Sequence, residues 1–321
     1  MIAITVGSVP GSAVSIEGDF VACRPSVSQL YSVPAVAGAT YAWSYSGTGA
    51  TITNGNTRSV SIAFSAAATS GNLTVSVTTA CGTNTSSVPI TLNTVPSLTS
   101  SLSPAAICSG TAFTYTPASN ITSPGNLALN KPITASSLEA AAYPASAAVD
   151  GNTTIRWSSE FSDPQWITVD LGASYNINRV RIVWEAAYGT AFSIQTSVDN
   201  STWTDLRTVT GNTGLTNDYT GLNGTGRYVR VYGTTRATEY GYSIFELEVY
   251  GSPITSYSWS RAAVSGISNP AGAGTGDINE TLVNTGSSPI NVTYAYTIAS
   301  QGCNNTENVT VTINPKPQVS T

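Results

Sequence analysis

The chain has 321 residues, which is long enough for two or three domains. Charged residues make up only 9% of it, against about 25% in typical soluble domains, and histidine is absent, which excludes Ser-His-Asp and Cys-His catalysis and histidine-based zinc sites. A net charge of −5 disfavours a nucleic-acid partner, and the lack of any run of about 18 apolar residues disfavours membrane insertion. The abundance of Thr, Ser, Val and Gly favours strands and turns over helices.

An internal repeat organises the chain. Similar strand ends, each followed by a proline, occur at 4–6 (Ile-Thr-Val), 90–92 (Ile-Thr-Leu) and 311–313 (Val-Thr-Ile), with matching aromatic strands at 41–44 and 257–260. This indicates two copies of one unit, with the last strand of a preceding copy at 1–10, so we expect the sequence to be a piece of a larger chain. The first unit spans 86 residues and the second 221, an excess of domain size.

The excess coincides with a change in composition. Residues 126–251 hold 20 of the 29 charged residues and four of the six tryptophans. We therefore predict a domain inserted into a surface loop of the second unit, where insertions are best tolerated. The predicted domains are a first sandwich at 1–97, a discontinuous second sandwich at 98–125 plus 252–321, and the insert at 126–251.

Each unit alternates apolar and polar residues in short runs, which predicts an antiparallel β-sandwich. The order Cys…Trp…Cys resembles an immunoglobulin-type core. Four cysteines allow three connectivities, and the symmetry of the two copies favours Cys23–Cys81 and Cys108–Cys303, with four buried free thiols as the alternative. Disulfides would imply an extracellular or cell-surface location. The units also resemble, loosely, the PKD-like and Ig-like repeats of secreted Bacteroidota proteins, which usually act as spacers.

The insert carries a more specific series of motifs. It opens with Asn-Leu-Ala-Leu-Asn-Lys-Pro at 126–132, continues through Val-Asp-Gly-Asn at 149–152 and Val-Asp-Leu-Gly at 169–172, and closes with Phe-Glu-Leu-Glu-Val-Tyr-Gly at 245–251. In this order the motifs resemble an F5/8 type C (discoidin) domain and, more narrowly, a family 32 carbohydrate-binding module (CBM32). The resemblance implies a galactose-binding-like jelly roll that binds sugars without cleaving them.

The resemblance also implies a sugar site in the loops at one end of the jelly roll. In the chitosan- and β-glucan-binding members that the insert resembles most, sugar-lining positions match Glu139, Arg156, Phe161, Glu185 and Tyr242. Tyr188 and Tyr240 lie in the same kind of loop and are further candidates. Aromatic faces stack on sugar rings, and carboxylates pair with the ammonium group of an amino sugar.

A structural calcium site is implied as well, because calcium binds carboxylate and carbonyl oxygens beside a turn such as 150–152. Family members commonly have Thr or Ser in place of Ile155, which contributes no side-chain oxygen, and this departure would weaken the site. The implied ligands are the carbonyls of Ala147, Asn152, Ile155 and Phe245 and the side chains of Asp150 and Glu246.

The predicted function is therefore non-catalytic polysaccharide binding, displayed on Ig-like spacers of an extracellular adhesin or polysaccharide-degrading protein, with chitosan or a β-glucan as the favoured partner. The alternative is a structural repeat of a surface adhesin or filament that contacts neighbouring Ig-like repeats and has no essential sugar binding. A third hypothesis, a glycosidase using Glu139 and Glu185, is disfavoured by the resemblance to binding modules.

Overall fold

The computed structural model describes residues 14–317. Their regular structure is 21 β-strands and one 3-10 helix, η1 (Ala145–Val149), which confirms the all-β class. Within residues 14–317 no helix has the length and apolar character of a membrane-spanning segment. The strand expected at 4–6, and with it the fragment of a preceding repeat at 1–10, lies outside the described residues.

The chain divides into two compact units, one formed by Thr122–Ile254 and the other by the residues before and after it. The unit formed by the residues before and after Thr122–Ile254 contains both sandwiches. The composition-based bounds of the insert, 126 and 251, fall inside Thr122–Ile254.

The first sandwich has seven described strands in two sheets, ordered β1-β7-β6-β3 and β2-β5-β4. Its core lies between the sheets and includes Trp43, Ile62 and Leu73. On the outer face of β6 and β7, Thr and Ser hydroxyls pair across the strands, as in Thr74–Ser87 at 2.9 Å, so few charges are needed there. The strands are β1 (Val21–Arg24), β2 (Ser26–Ser32), β3 (Thr40–Tyr45), β4 (Ala50–Thr53), β5 (Ser59–Phe64), β6 (Gly71–Thr79) and β7 (Gly82–Thr94).

The second sandwich repeats this plan with an interruption. It begins with β8 (Ala106–Cys108) and β9 (Ala112–Tyr115) and resumes after the insert. Its sheets are ordered β18-β17-β20-β21-β8 and β19-β9, and the parallel pairing of β8 with β21 repeats that of β1 with β7. The resumed strands are β17 (Thr255–Arg261), β18 (Gly272–Thr275), β19 (Ile278–Thr281), β20 (Ile290–Ser300) and β21 (Cys303–Asn314).

The insert contains seven strands in one connected sheet system, ordered β11-β16-β12-β15-β13-β14, with β10 also paired to β12. Its core includes Trp157, Trp184, Phe192 and many Ile, Leu and Val side chains. Two strands of 20 and 21 residues run through it, and a register shift between Asp170 and Tyr175 bends the first. The strands are β10 (Ile133–Ala135), β11 (Trp157–Ser158), β12 (Gln165–Trp184), β13 (Gly189–Ser197), β14 (Thr204–Val209), β15 (Thr216–Arg236) and β16 (Ser243–Pro253).

The expected disulfide pairing is wrong. The disulfide joins Cys23 to Cys303, with Cα atoms 5.7 Å apart, while Cys81 and Cys108 are exposed. In the β1–β7 ladder Cys23 lies beside Asn93, near the end of β7, whereas Cys81 lies just before β7 begins. The 13-residue strand therefore separates the two cysteines by roughly 40 Å. A disulfide requires Cα atoms within about 7 Å, so pairing inside one sandwich is impossible, and Cys23 pairs with a cysteine of the other sandwich instead.

Candidate functional site

A cleft of about 300 Å³ lies at one end of the insert. It is formed by the loop after β10, the residue before β11, the loop after β12 and the segment leading into β16. Loops held by a rigid sheet are typical places for binding residues. The lining residues are Glu139, Arg156, Ser158, Glu185, Ala186, Ala187, Thr238, Tyr240 and Ser243.

The floor of the cleft is the short antiparallel pair of β11 and β16. Ser158 lies opposite Ser243, and their buried hydroxyls are 2.8 Å apart. The backbone of these two serines also binds the flanking acidic loops. The amide of Glu139 donates to the carbonyl of Ser158 at 2.8 Å, and the amide of Glu185 donates to the carbonyl of Ser243 at 2.9 Å. The sheet therefore fixes both acidic residues on one floor.

Glu139, Glu185 and Arg156 bring charge to the cleft. Glu139 is exposed, while Glu185 is half-buried and its Oε2 accepts a hydrogen bond from the amide of Ala187 at 3.0 Å. The Arg156 guanidinium lies 4.4 Å from the centre of the Tyr143 ring, and its buried Nε has no hydrogen-bond partner. Among the ion pairs of residues 14–317, none includes these three side chains. Their charges are thus not neutralised by one another.

Exposed aromatic rings stand beside the cleft. Tyr240 lines it and is 56% exposed, and Phe161, 48% exposed, packs edge-on against Tyr240 with ring centres 5.6 Å apart. The Arg236 guanidinium donates to the carbonyls of Glu239 and Tyr240 at 3.1 and 3.3 Å and so holds this loop in place. Tyr188, in contrast, packs against the core and does not line the cleft.

The structure corrects the role predicted for Tyr242. Its side chain is only 2% exposed and belongs to the core, where its hydroxyl donates to Asp163. Burial and this bond to the carboxylate raise the pKa of Tyr242 above its ordinary value. A methyl group at Gly233 would lie 2.3 Å from the ring, so the pocket around Tyr242 is closely filled. Tyr242 supports the loop from beneath and cannot stack on a ligand.

Cleft residues that the sequence reasoning missed include Ser158, Ser243 and Thr238. The alternation of side chains along a strand could have identified Ser158, which is two residues after Arg156 and shares its side. Ser243 could be recognised only after the structure had shown that the adjoining Tyr242 is buried. Thr238 carried no comparable signal.

The implied calcium ligands lie around the turn that follows η1. Glu246 is 3% exposed, and its carboxylate accepts hydrogen bonds from the amide of Gly151, at 3.1 Å to Oε2. Burial, with a smaller contribution from the repulsion by Asp150, raises the pKa of Glu246 to about 7. No cluster of three or more Cys, Asp or Glu side chains suited to a metal occurs within residues 14–317, so a cation here would rely on backbone carbonyls such as that of Ala147. Ile155 is exposed and offers only its carbonyl.

Two family models match this chain. The F5/8 type C domain matches residues 132–247, and the PKD-like domain matches residues 9–92. A comparison with curated proteins finds no match. The expected Bacteroidota origin is not addressed by these matches and stays a prediction.

Several similar solved structures are carbohydrate-binding modules. Chitosan-binding module 1 of a chitosanase/glucanase from Paenibacillus sp. IK-5 is 52% identical, with 39% of this chain and 98% of the module covered and a TM-score of 0.38. Module 2 of that enzyme, solved with chitotriose, is 47% identical, with 39% and 100% covered and a TM-score of 0.39. CBM32-3 from a family 31 glycoside hydrolase of Clostridium perfringens is 26% identical, with 40% and 94% covered and a TM-score of 0.35.

The sequence matches, and not the TM-scores, establish the family. The F5/8 type C model matches residues 132–247, and a module of which this chain covers 98% is 52% identical to it. Residues 9–92 match the PKD-like domain model, and through residues 132–247 the chain belongs to the F5/8 type C domain family.

Proposed function

We propose that the F5/8 type C domain binds a polysaccharide of amino sugars, with chitosan as the first candidate and a β-glucan as the second, and does not cleave it. The observation that carries this proposal is the cleft itself. It combines two carboxylates, one guanidinium and an exposed tyrosine on a floor fixed by the sheet.

The charges of the cleft favour an amino sugar. Glu139 and Glu185 supply two negative charges against the single positive charge of Arg156, so a sugar ammonium group improves the charge balance. The ring of Tyr240, extended by that of Phe161, offers an apolar surface for the CH-rich face of a pyranose. The identity with two chitosan-binding modules supports the same class of ligand.

The absence of catalysis is part of the proposal. The matching family model and the similar modules are binding domains, although the modules come from hydrolytic enzymes. In this chain the cleft would hold a polymer near activities or cells supplied elsewhere.

We also propose that a structural calcium ion binds at the turn 150–152, held by the side chains of Asp150 and Glu246 and by neighbouring carbonyls. Two acidic side chains that repel one another, one of them buried, fit a hard cation. Calcium should raise the melting temperature of the F5/8 type C domain, and Glu246→Gln should abolish that increase. An equal increase in the variant would contradict this site.

The wider setting is likewise proposed. The disulfide supports an oxidising, extracellular environment, and the sandwiches would serve as spacers of an adhesin or a polysaccharide-degrading protein. The alternative, a structural repeat with no essential sugar binding, is supported by the covalent link between the two sandwiches.

Calorimetric titration with a glucosamine oligomer, its N-acetylated equivalent and a β-glucan oligomer tests the sugar site. Glu139→Gln and Glu185→Gln should each weaken binding of the glucosamine oligomer about tenfold, since a charge-assisted hydrogen bond contributes about 1.5–3 kcal/mol. Glu239→Gln is the matched control, because it removes the same charge from a neighbouring exposed position that does not line the cleft. Equal losses in all three variants, or no binding of any oligomer by the native chain, would contradict the proposal.

A further inference from the structure

The disulfide lies where the first sandwich meets the second. Cys23 in β1 is beside Asn93, near the end of the last strand of the first sandwich. Cys303 directly follows the turn between β20 and β21 of the second sandwich. In the same place the Asn93 side-chain amide donates to the carbonyl of Gln301, in that turn, at 2.8 Å. The end of one sandwich is thus bound, covalently and by a hydrogen bond, to the hairpin turn of the next.

Cys108 is the counterpart of Cys23 in the second sandwich. It lies in β8, which pairs in parallel with the last strand β21, and its partner in that register is Asn314. Cys23 has the same relation to Asn93 in the last strand β7. The second sandwich therefore presents, at its own end, the cysteine and asparagine pair that forms the junction in the first.

The two cysteines differ in one respect. Cys303 covers Cys23, whereas Cys108 is exposed and its sulfur is not bonded to another cysteine. Both sandwiches have a hairpin turn with a cysteine. In the first, Cys81 lies in the turn between β6 and β7. In the second, Cys303 lies one position later in the equivalent hairpin, directly after the turn between β20 and β21.

We propose that Cys108 forms a disulfide with the hairpin-turn cysteine of a further sandwich repeat. The partner is a domain of the same fold, seated against β8 and the end of β21 as the second sandwich is seated against β1 and the end of β7. Successive repeats are then joined in series by disulfides. Each disulfide links the cysteine in the first strand of one repeat to the hairpin-turn cysteine of the next repeat. The proposal does not depend on sugar binding.

The bond forms by oxidation of two thiols, for which oxidised glutathione is the oxidant. The Cys108 thiolate attacks the glutathione disulfide and releases one glutathione thiol. The thiolate of the partner cysteine then attacks the resulting mixed disulfide at the Cys108 sulfur and releases the second. Two protein thiols are oxidised and one glutathione disulfide is reduced.

Two full-length chains linked head to tail provide the test. In the test tandem, Cys81→Ser in the first copy and Cys108→Ser in the second leave a single Cys108 followed by a single Cys81 in the next sandwich. The control tandem carries the reverse substitutions, so that Cys81 lies in the first sandwich and Cys108 in the last. Both are refolded in a glutathione redox buffer, alkylated and mapped by mass spectrometry without reduction.

We expect the Cys108–Cys81 peptide to be at least tenfold more abundant in the test tandem than in the control, with Cys23–Cys303 formed in both. The proposal is overturned if Cys108 of the test tandem is alkylated as fully as that of the control while Cys23–Cys303 is complete. Failure of Cys23–Cys303 to form in the native chain would also overturn it, since the junction that it copies would not exist.

Discussion

The aromatic strand of the first sandwich reads Tyr-Ala-Trp-Ser-Tyr at 41–45, and that of the second reads Tyr-Ser-Trp-Ser-Arg at 257–261. In the first, Tyr45 lies opposite Leu73 and packs edge-on against Phe64, with ring centres 5.4 Å apart. In the second, the Arg261 side chain is 1% exposed and donates twice to Glu280 at 2.9 Å. Tyr294 also donates to Glu280.

One strand plan therefore accommodates an apolar contact in one copy and an ionic cluster in the other. The opposite sheet of each sandwich shows the same difference between apolar and ionic side chains. In the first sandwich, β5 carries three alternating apolar residues, Val60, Ile62 and Phe64. In the second, β19 and the residue after it carry Ile278, Glu280 and Leu282 at the equivalent positions. A buried ion pair recovers in mutual attraction what its charges lose in hydration, so it stabilises little overall but is costly to break. The two sandwiches should thus have similar stability and very different sensitivity to single substitutions.

Breaking the ionic cluster should have the largest effect. Glu280→Gln leaves the Arg261 guanidinium buried without its counter-charge and should cost the second sandwich about 3–4 kcal/mol. Hydrogen exchange of the amides in β17 and β20 measures this locally, which is needed because a chain of several domains does not unfold in one step.

The matched control converts the cluster into the apolar arrangement of the first sandwich. Arg261→Tyr, Glu280→Ile and Tyr294→Leu together should return the free energy of opening to within about 1 kcal/mol of the native chain. If the single variant costs no more than the triple variant, the comparison between the two sandwiches does not hold.

Removing the disulfide should have a somewhat smaller effect. Cys23→Ser releases a loop of 280 residues and should lower the free energy of unfolding by about 2–3 kcal/mol, since engineered and native bridges typically contribute in this range. Cys108→Ser is the matched control in the isolated chain, because its sulfur is in no disulfide there. Urea unfolding, followed by hydrogen exchange in each sandwich, compares the two variants. An equal loss of stability in Cys23→Ser and Cys108→Ser would contradict the covalent junction.

The ionic cluster should also make the second sandwich the more acid-sensitive of the two. Burial alone would raise the pKa of Glu280, but the hydrogen bonds from Arg261 and Tyr294 outweigh it and hold that pKa below its ordinary value. A lowered pKa stabilises the folded state above the ordinary value, about 4.3, and this stabilisation is lost as the pH falls through the folded pKa. Hydrogen exchange between pH 5 and about 3 should show a steeper loss in β17 than in β3, and the triple variant should remove the difference.

The sequence predicted the larger features because they repeat along the chain. Alternating residues gave the strands, and the displaced third strand end revealed the insert. The disulfide was mispredicted because a repeat identifies which cysteines are equivalent and not which are close in space. Only the parallel pairing of β1 with β7 shows that Cys23 lies beside the end of β7, whereas Cys81 lies just before its start.

The same limit applies to the cleft. Glu139, Arg156, Glu185 and Tyr240 line one cleft in the structure, and their role in sugar binding stays a prediction, whereas Tyr242 lies in the core. Whether a loop tyrosine faces the cleft or the core depends on which residue packs against its ring, and here Gly233 leaves the space that the Tyr242 ring fills. That relation joins residues nine positions apart through a turn whose course the sequence does not give.

The smallest expected effect concerns the tryptophans that the two sandwiches share. The indole N–H of Trp43 donates to the carbonyl of Thr57 at 2.8 Å, whereas the buried N–H of Trp259 has no hydrogen-bond partner. Replacement by Phe removes similar apolar surface in both sandwiches, but Trp43→Phe also loses a hydrogen bond and Trp259→Phe removes a donor that was costly to bury. Trp43→Phe should therefore cost about 1 kcal/mol more, as measured by hydrogen exchange in β3 and β17. Equal costs would mean that the indole of Trp259 is satisfied in solution, by water or by a side-chain shift, and that the two sandwiches differ only in their ionic cluster.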